Sequence, residues 1–180
     1  MTREEVERRR TMVADVLRQA NIVLSDEERA NIEIADFGLN DIDNIGLQLV
    51  VYESNDRYCA KELILFPRQM CPQHRHPPIS PDNPGKRETF RCRQGEVYLY
   101  MDGPPTPHPK AIVPERHRQH LSVWHEIVLR PGQQYTIDSN SLHWFQAGEE
   151  GAIVSEFSSA NIDEADIFTD PNIKRIPILP

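Results

Sequence analysis

Beyond residue 31 the chain is a succession of short segments rich in β-branched and aromatic residues, with almost no helical periodicity between them. Leu47–Tyr52, Tyr58–Phe66, Glu96–Tyr100, Ser122–Leu129, Gln134–Ile137 and Ala152–Phe157 are punctuated by Gly, Pro, Asn and Asp. Many strands without intervening helices predict an all-β sandwich or barrel. The first thirty residues read differently. Thr2 and Glu5 have capping-box spacing, and Val6, Met12, Val13, Val16 and Leu17 fall roughly on one helical face. Ser25 and Glu28 repeat the spacing before a shorter helix ending at Ala30. The predicted organisation is a helical extension over 1–30 and one β domain over 31–180.

A length of 180 residues suits one domain with a single sizeable core. The 20 Lys and Arg against 28 Asp and Glu give a net charge of −8, which argues against nucleic acid as a partner. The run Arg8-Arg9-Arg10 lies among glutamates and is expected to be a solvated helix face. No apolar run approaches the roughly 18 residues of a membrane span, and Met1-Thr-Arg-Glu-Glu is too charged for a signal peptide. Cys59, Cys71 and Cys92 are odd in number and form no C-x-x-C, so no disulfide framework is expected. A cytoplasmic, non-membrane protein follows. Prolines crowd two stretches, Pro77–Pro84 and Pro104–Pro114, and the expectation is a stiffened rim around a pocket.

The histidines carry the chemical signal. His74 and His76 are one residue apart, which on a strand turns both imidazoles to one face. Glu88 opens a segment in which Glu88, Phe90 and Cys92 share one side and Thr89, Arg91 and Arg93 the other, with Gly95 expected to close it. A carboxylate on the apolar side is costly unless a cation compensates it. His143 precedes Trp144 and Phe145. Three imidazoles and one carboxylate suit Mn, Fe, Co, Ni or Zn. His108, His117 and His120 are expected at the surface. His125 alternates with Val123 and Ile127, so it enters either the pocket or the core. Cys71-x-x-His74 has zinc-like spacing, but no second pair completes a structural site.

His74-x-His76, the later Glu88 and Gly95 resemble the first motif of the cupin superfamily, with eleven residues between His76 and Glu88 where cupins usually have three or four. Gly132 and Asp138-x-Asn140-x-x-His143 resemble the second. Met70–Pro78, Gly85–Arg93, Val123–Gly132, Leu142–Gln146 and Val154–Phe157 are similar to the D-lyxose isomerase family of cupins, from about residue 58 to 170. That resemblance implies a single cupin barrel (a double-stranded β-helix or jelly roll) and a homodimer. It also implies a manganese-dependent isomerase interconverting D-lyxose and D-xylulose, and D-mannose and D-fructose. Carried over by motif, the metal ligands are His74, His76, Glu88 and His143, the catalytic glutamate is Glu156, and the substrate-contacting lysines are Lys61 and Lys86. Lys61 also counts among the catalytic candidates, and Asn140 and His125 among the substrate-binding ones.

Aldose–ketose isomerisation moves a proton between neighbouring carbons through an enediol. It needs a carboxylate base within reach and a cation for the developing charge. If Gly148-Glu-Glu-Gly151 is a four-residue hairpin loop, Ala147 pairs with Ala152 and His143 with Glu156, which turns Glu156 towards the metal. A five-residue loop pairs His143 with Ser155 and turns Glu156 away. The four-residue loop is the expectation, because it puts Phe145, Ala147, Ala152 and Val154 on the inner face. Lys61 shares a face with Leu63 and Leu65, but the opposite face, with Tyr58, Ala60, Ile64 and Phe66, is just as apolar. Two other classes stay open: an Fe(II) dioxygenase on the same scaffold, and a non-catalytic sugar- or metal-binding cupin.

Overall fold

The computed structural model describes residues 1–175, and the last five positions of the 31–180 unit lie outside them. Helix α1 (Arg3–Gln19) begins where Thr2 Oγ1 accepts the Glu5 amide at 3.2 Å. It lays Val6, Val13 and Leu17 on Ile34, Val50, Ile64 and Ile153 of the sheet. Met12 is 39% exposed, so the apolar stripe is narrower than its spacing predicts. The arginine run is not uniformly solvated either: Arg9 is buried and pairs with Asp43 at 2.7 Å, because the helix packs that position against the following loop. Helix α2 (Asp26–Ala30) has the full capping box between Ser25 and Glu28.

Among the described residues nine strands follow: β1 (Glu33–Ala35), β2 (Leu47–Ser54), β3 (Tyr58–Leu65), β4 (Met70–Arg75), β5 (Glu88–Met101), β6 (His125–Leu129), β7 (Gln134–Ile137), β8 (His143–Ser159) and β9 (Ile167–Phe168). One short helix, α3 (Glu115–Arg118), interrupts them. All are joined in one strongly curled sheet. Strands β5 and β8 run antiparallel along almost their whole lengths and belong to both walls. Near its start β8 pairs with β4; towards its end it pairs with β3. Strand β5 likewise pairs first with β7 and then with β6. The result is a double-stranded β-helix whose interior holds Leu63, Phe90, Cys92, Leu99, Phe145 and Val154.

This topology corrects two expectations. Gly95 does not close a strand, and Gly148–Gly151 is not a hairpin loop. Both lie inside long strands, where the register shifts as the strands bend from one wall to the other. Gly95 has φ 73°, and a Cβ there would stand 2.0 Å from the Gly151 carbonyl oxygen. Glycine is needed because the two backbones touch at the bend. Ala147 pairs with Val97 and Ala152 with Gly95, so His143 and Glu156 are not cross-strand partners.

The two proline stretches part company. Residues 77–84 double back so that Gly85, at φ 94°, lies against the His76 and Pro77 carbonyls. Residues 104–114 are tied instead to the far side of the barrel: Thr106 donates to the Trp124 carbonyl, and Ile112 to Gln146 Oε1. No described residue of that stretch lines the cavity below, so the rim reading does not hold for it. His117 is not a free surface residue, since it meets the buried Asp41 at 2.7 Å. Cys59, Cys71 and Cys92 are free and buried. No described helix is long and apolar enough to cross a membrane.

Candidate active site

The end of β4 and the starts of β5 and β8 meet at one end of the barrel. His74 faces His143 directly across the β4–β8 ladder, and His76 follows β4 by one residue. Glu88 opens β5 on its inward side with Phe90 and Cys92, as the alternation predicts, while Arg91 and Arg93 are exposed. Ligand atoms of His74, His76, Glu88 and His143 lie within 4.8 Å of one another, and all four residues are buried.

The tautomers decide what this cluster can hold. His74 Nδ1 faces the Pro72 carbonyl at 2.8 Å, His143 Nδ1 the Ser141 carbonyl at 2.9 Å, and His76 Nδ1 the Asp166 carboxylate at 2.5 Å. Each acceptor keeps a proton on Nδ1, which leaves an Nε2 lone pair aimed inward. His143 Nε2 stands 2.9 Å from Glu88 Oε1, yet it is a buried atom without a hydrogen-bond partner. Two acceptors facing each other in a buried site call for a cation between them. The donor set therefore fits a divalent metal.

Burial, with the neighbouring His143 and His76, holds the His74 pKa well below its ordinary value, so the ring stays neutral and able to ligate. Burial alone would lower the His76 pKa too, but the Glu88 and Asp166 carboxylates outweigh it and raise it to about 9, so the inward nitrogen gives up a proton when a metal binds. Burial alone would raise the Glu88 pKa; Lys86 and His76 override it and hold the carboxyl well below its usual range.

A second group adjoins the first. Lys61 of β3 and Phe90 of β5 flank Glu156 of β8 in register, and all three point inward. Glu156 thus reaches the cavity through these neighbours and not through the pairing with His143 expected from a hairpin. Lys86 Nζ lies 2.8 Å from Glu156 Oε1 and 2.7 Å from Glu88 Oε2; Lys61 Nζ lies 3.6 Å from Glu156 Oε1. Burial opposes the charge on Lys86, but Glu156 and Glu88 raise its pKa. The cavity is lined by these charges together with Phe37, Leu47, Leu49 and Leu63.

The family model described as D-lyxose isomerase matches residues 15–179. The chain belongs to the D-lyxose isomerase family. It is 61% identical over 177 residues to the D-lyxose ketol-isomerase of Thermofilum sp. (strain ex4484_79), covering 98% of each chain. Identity is 64% over 165 residues with the D-lyxose/D-mannose isomerase of Thermosediminibacter oceani, covering 92% of this chain and 91% of that one. Among solved structures the fold is similar to ligand-free L-ribose isomerase of Cellulomonas parahominis, with TM-score 0.80 and 15% identity over 96% of this chain and 94% of that one. The enzyme of Acinetobacter sp. DL28 with L-ribose gives TM-score 0.78, 15% identity and the same coverage. Identities this low show shared fold alone.

For a member of this family, the sequence-predicted residues divide cleanly. His74, His76, Glu88, His143, Glu156, Lys61 and Lys86 come together, whereas His125 and Asn140 do not line the cavity. His125 Nδ1 faces the Pro104 carbonyl at 3.2 Å, because β6 lies across β5 on the far side from β8. Asn140, at φ 62°, accepts from Arg75 Nη1 through Oδ1 and donates its amide to the His76 carbonyl. It shapes the turn that backs His76. Three lining residues went unseen in the sequence: Asp163, Asp166 and Arg175. They lie beyond the last long strand in a segment without periodicity, where only the run Asp163-Glu164-Ala165-Asp166 hints at a function.

Proposed function

We propose that this protein is a divalent-metal-dependent ketol-isomerase that interconverts D-lyxose and D-xylulose, and D-mannose and D-fructose. The observation that carries the reading is the buried Glu156 carboxylate, set beside two ammonium groups in one cavity with a histidine–glutamate cluster. The family relationship and the names of the two curated relatives support the choice of sugars.

In this reading Glu156 takes the proton from C2 of the open-chain aldose and returns it to C1, while the hydroxyl proton passes from O2 to O1. No oxidant is consumed. The buried Lys61 and Lys86 ammonium groups bind the oxygens on which negative charge develops. The metal, held by His74, His76, Glu88 and His143, supplies Lewis acidity towards the reacting oxygens. The apolar wall of Leu47, Leu49 and Leu63 excludes water from the enediol.

Manganese as the metal, a cytoplasmic location and a homodimer belong to the same proposal. Tyr58 and Phe157, exposed on the outer sheet face, offer apolar surface to a second subunit. Sedimentation at micromolar protein tests the dimer. The activity is tested by proton NMR of D-lyxose with metal-stripped and Mn²⁺-reloaded protein. Xylulose is expected only after reloading, with or without oxygen. Its absence from the reloaded sample would sink the reading, and a requirement for oxygen would favour a dioxygenase.

A further inference from the structure

His76 is the ligand least secured by the barrel. It lies one residue beyond β4, and its ring is held from behind by Asp166 alone, at 2.5 Å. Asp166 does not belong to the barrel walls. It sits between the 3-10 turn Asp163–Ala165 and the two-residue strand β9, in a segment that follows β8 and contributes Asp163 and Asp166 to the cavity lining.

That segment is docked partly on the metal-site histidines and partly on Phe37, Gln73 and His120. Among the described residues strand β9 pairs only with β4, in the register His74 with Phe168 and Arg75 with Ile167. The Phe168 ring stacks on His74 with centroids 5.3 Å apart and planes at 30°. The Thr169 amide donates to the Gln73 carbonyl at 3.1 Å. Arg175 draws Asp163 to Glu33 of β1, at 2.8 Å and 2.5 Å, so the same segment supplies Asp163, Asp166 and Arg175 to the cavity wall.

We infer that Asp166 is a positioning residue that couples metal binding to closure of the 160–170 segment over the cavity. Two physical arguments lead there. A carboxylate on the far nitrogen of a ligating imidazole fixes the tautomer and ring angle and increases the basicity of the inward nitrogen; loss of such a partner typically weakens metal affinity about 10–100-fold. Coupling is also reciprocal: if the docked segment strengthens the metal site, the metal strengthens docking by the same factor. A metal-free enzyme would therefore have a looser mouth, and metal loading would complete the wall that excludes water. The inference rests on the metal reading above and not on which sugar is turned over.

Two measurements test it. Mn²⁺ affinity is measured by competition with a fluorescent chelator for the wild-type protein and Asp166→Ala, and about 10–100-fold weaker binding by the variant is expected. Hydrogen exchange over residues 163–169 is followed in the wild-type protein with and without Mn²⁺. Slower exchange of the Ala165 and Thr169 amides is expected on loading, and this arm needs no variant to fold. Affinity within twofold of wild type, or exchange in the segment indifferent to Mn²⁺, overturns the coupling while leaving the metal site standing. Failure of the wild-type protein to bind Mn²⁺ overturns the metal reading and the coupling together.

Discussion

Lys86 Nζ lies 2.8 Å from Glu156 Oε1, with its other side 2.7 Å from Glu88 Oε2, so one ammonium joins the proposed base to a proposed metal ligand. Two buried carboxylates this close would repel each other strongly in a low-dielectric site. Lys86 stands between the two and offsets that repulsion.

Glu156→Gln is isosteric and keeps a group near both lysines, but it cannot accept the migrating proton. Turnover of D-lyxose is expected to fall about 10²–10⁴-fold. Metal content measured by atomic emission should stay at the wild-type value. A non-catalytic cupin would show no such dissociation of turnover from loading.

Lys86→Met removes the shared cation and leaves Glu88 and Glu156 facing each other. Breaking a buried ion pair from one side costs about 3–5 kcal/mol. Urea unfolding of the metal-free protein is expected to show that loss. Adding Glu156→Gln to Lys86→Met should recover part of it, since one buried charge is then absent. Equal stability of the single and double variants would argue that the two carboxylates do not interact.

Glu62, on the outer side of β3, gives the pH dependence. Burial is the main influence on its carboxyl and raises the pKa, opposed by the Ser155 hydroxyl at 2.7 Å and by Arg93. A raised folded-state pKa means that its contribution is fully present below the unfolded value, about 4.3, and is lost as pH rises through the folded value. Glu62→Gln removes that loss and gives a neutral amide where Glu62 Oε2 has no partner. The variant should gain on wild type as pH rises from 4 to 7. Parallel stability curves across that range would contradict this.

Gly95→Ala tests the crossing of the long strands. The added Cβ would stand 2.0 Å from the Gly151 carbonyl oxygen on a backbone at φ 73°. A cost of at least about 1–3 kcal/mol is expected from the dihedral alone, read as a lowered thermal midpoint. Gly132→Ala is the control: its φ is also positive, at 89°, but no atom lies within 4 Å of the added carbon. Its loss should be smaller.

Side-chain patterns with a period of two residues were legible without coordinates. His74 and His76 share a face because successive strand residues alternate, and the same alternation put Glu88 inward between apolar neighbours. Shorter-range chemistry was legible as well: the Ser25–Glu28 capping box formed as its spacing predicts. Glu156 shows where such reasoning stops. Its inward direction was expected from a hairpin that does not exist, since Gly148–Gly151 fits a turn and a mid-strand bend equally well.

The candidate ligand set and the β-rich architecture were therefore written in local order along the chain. Folding alone chose the neighbours. Lys61, Phe90 and Glu156 meet through the register of three strands distant in sequence, and Asp166 reaches His76 from a segment with no periodicity. Local alternation sets which face a side chain takes. Register and loop path are set by packing between distant parts of the chain, and a linear pattern does not encode those contacts.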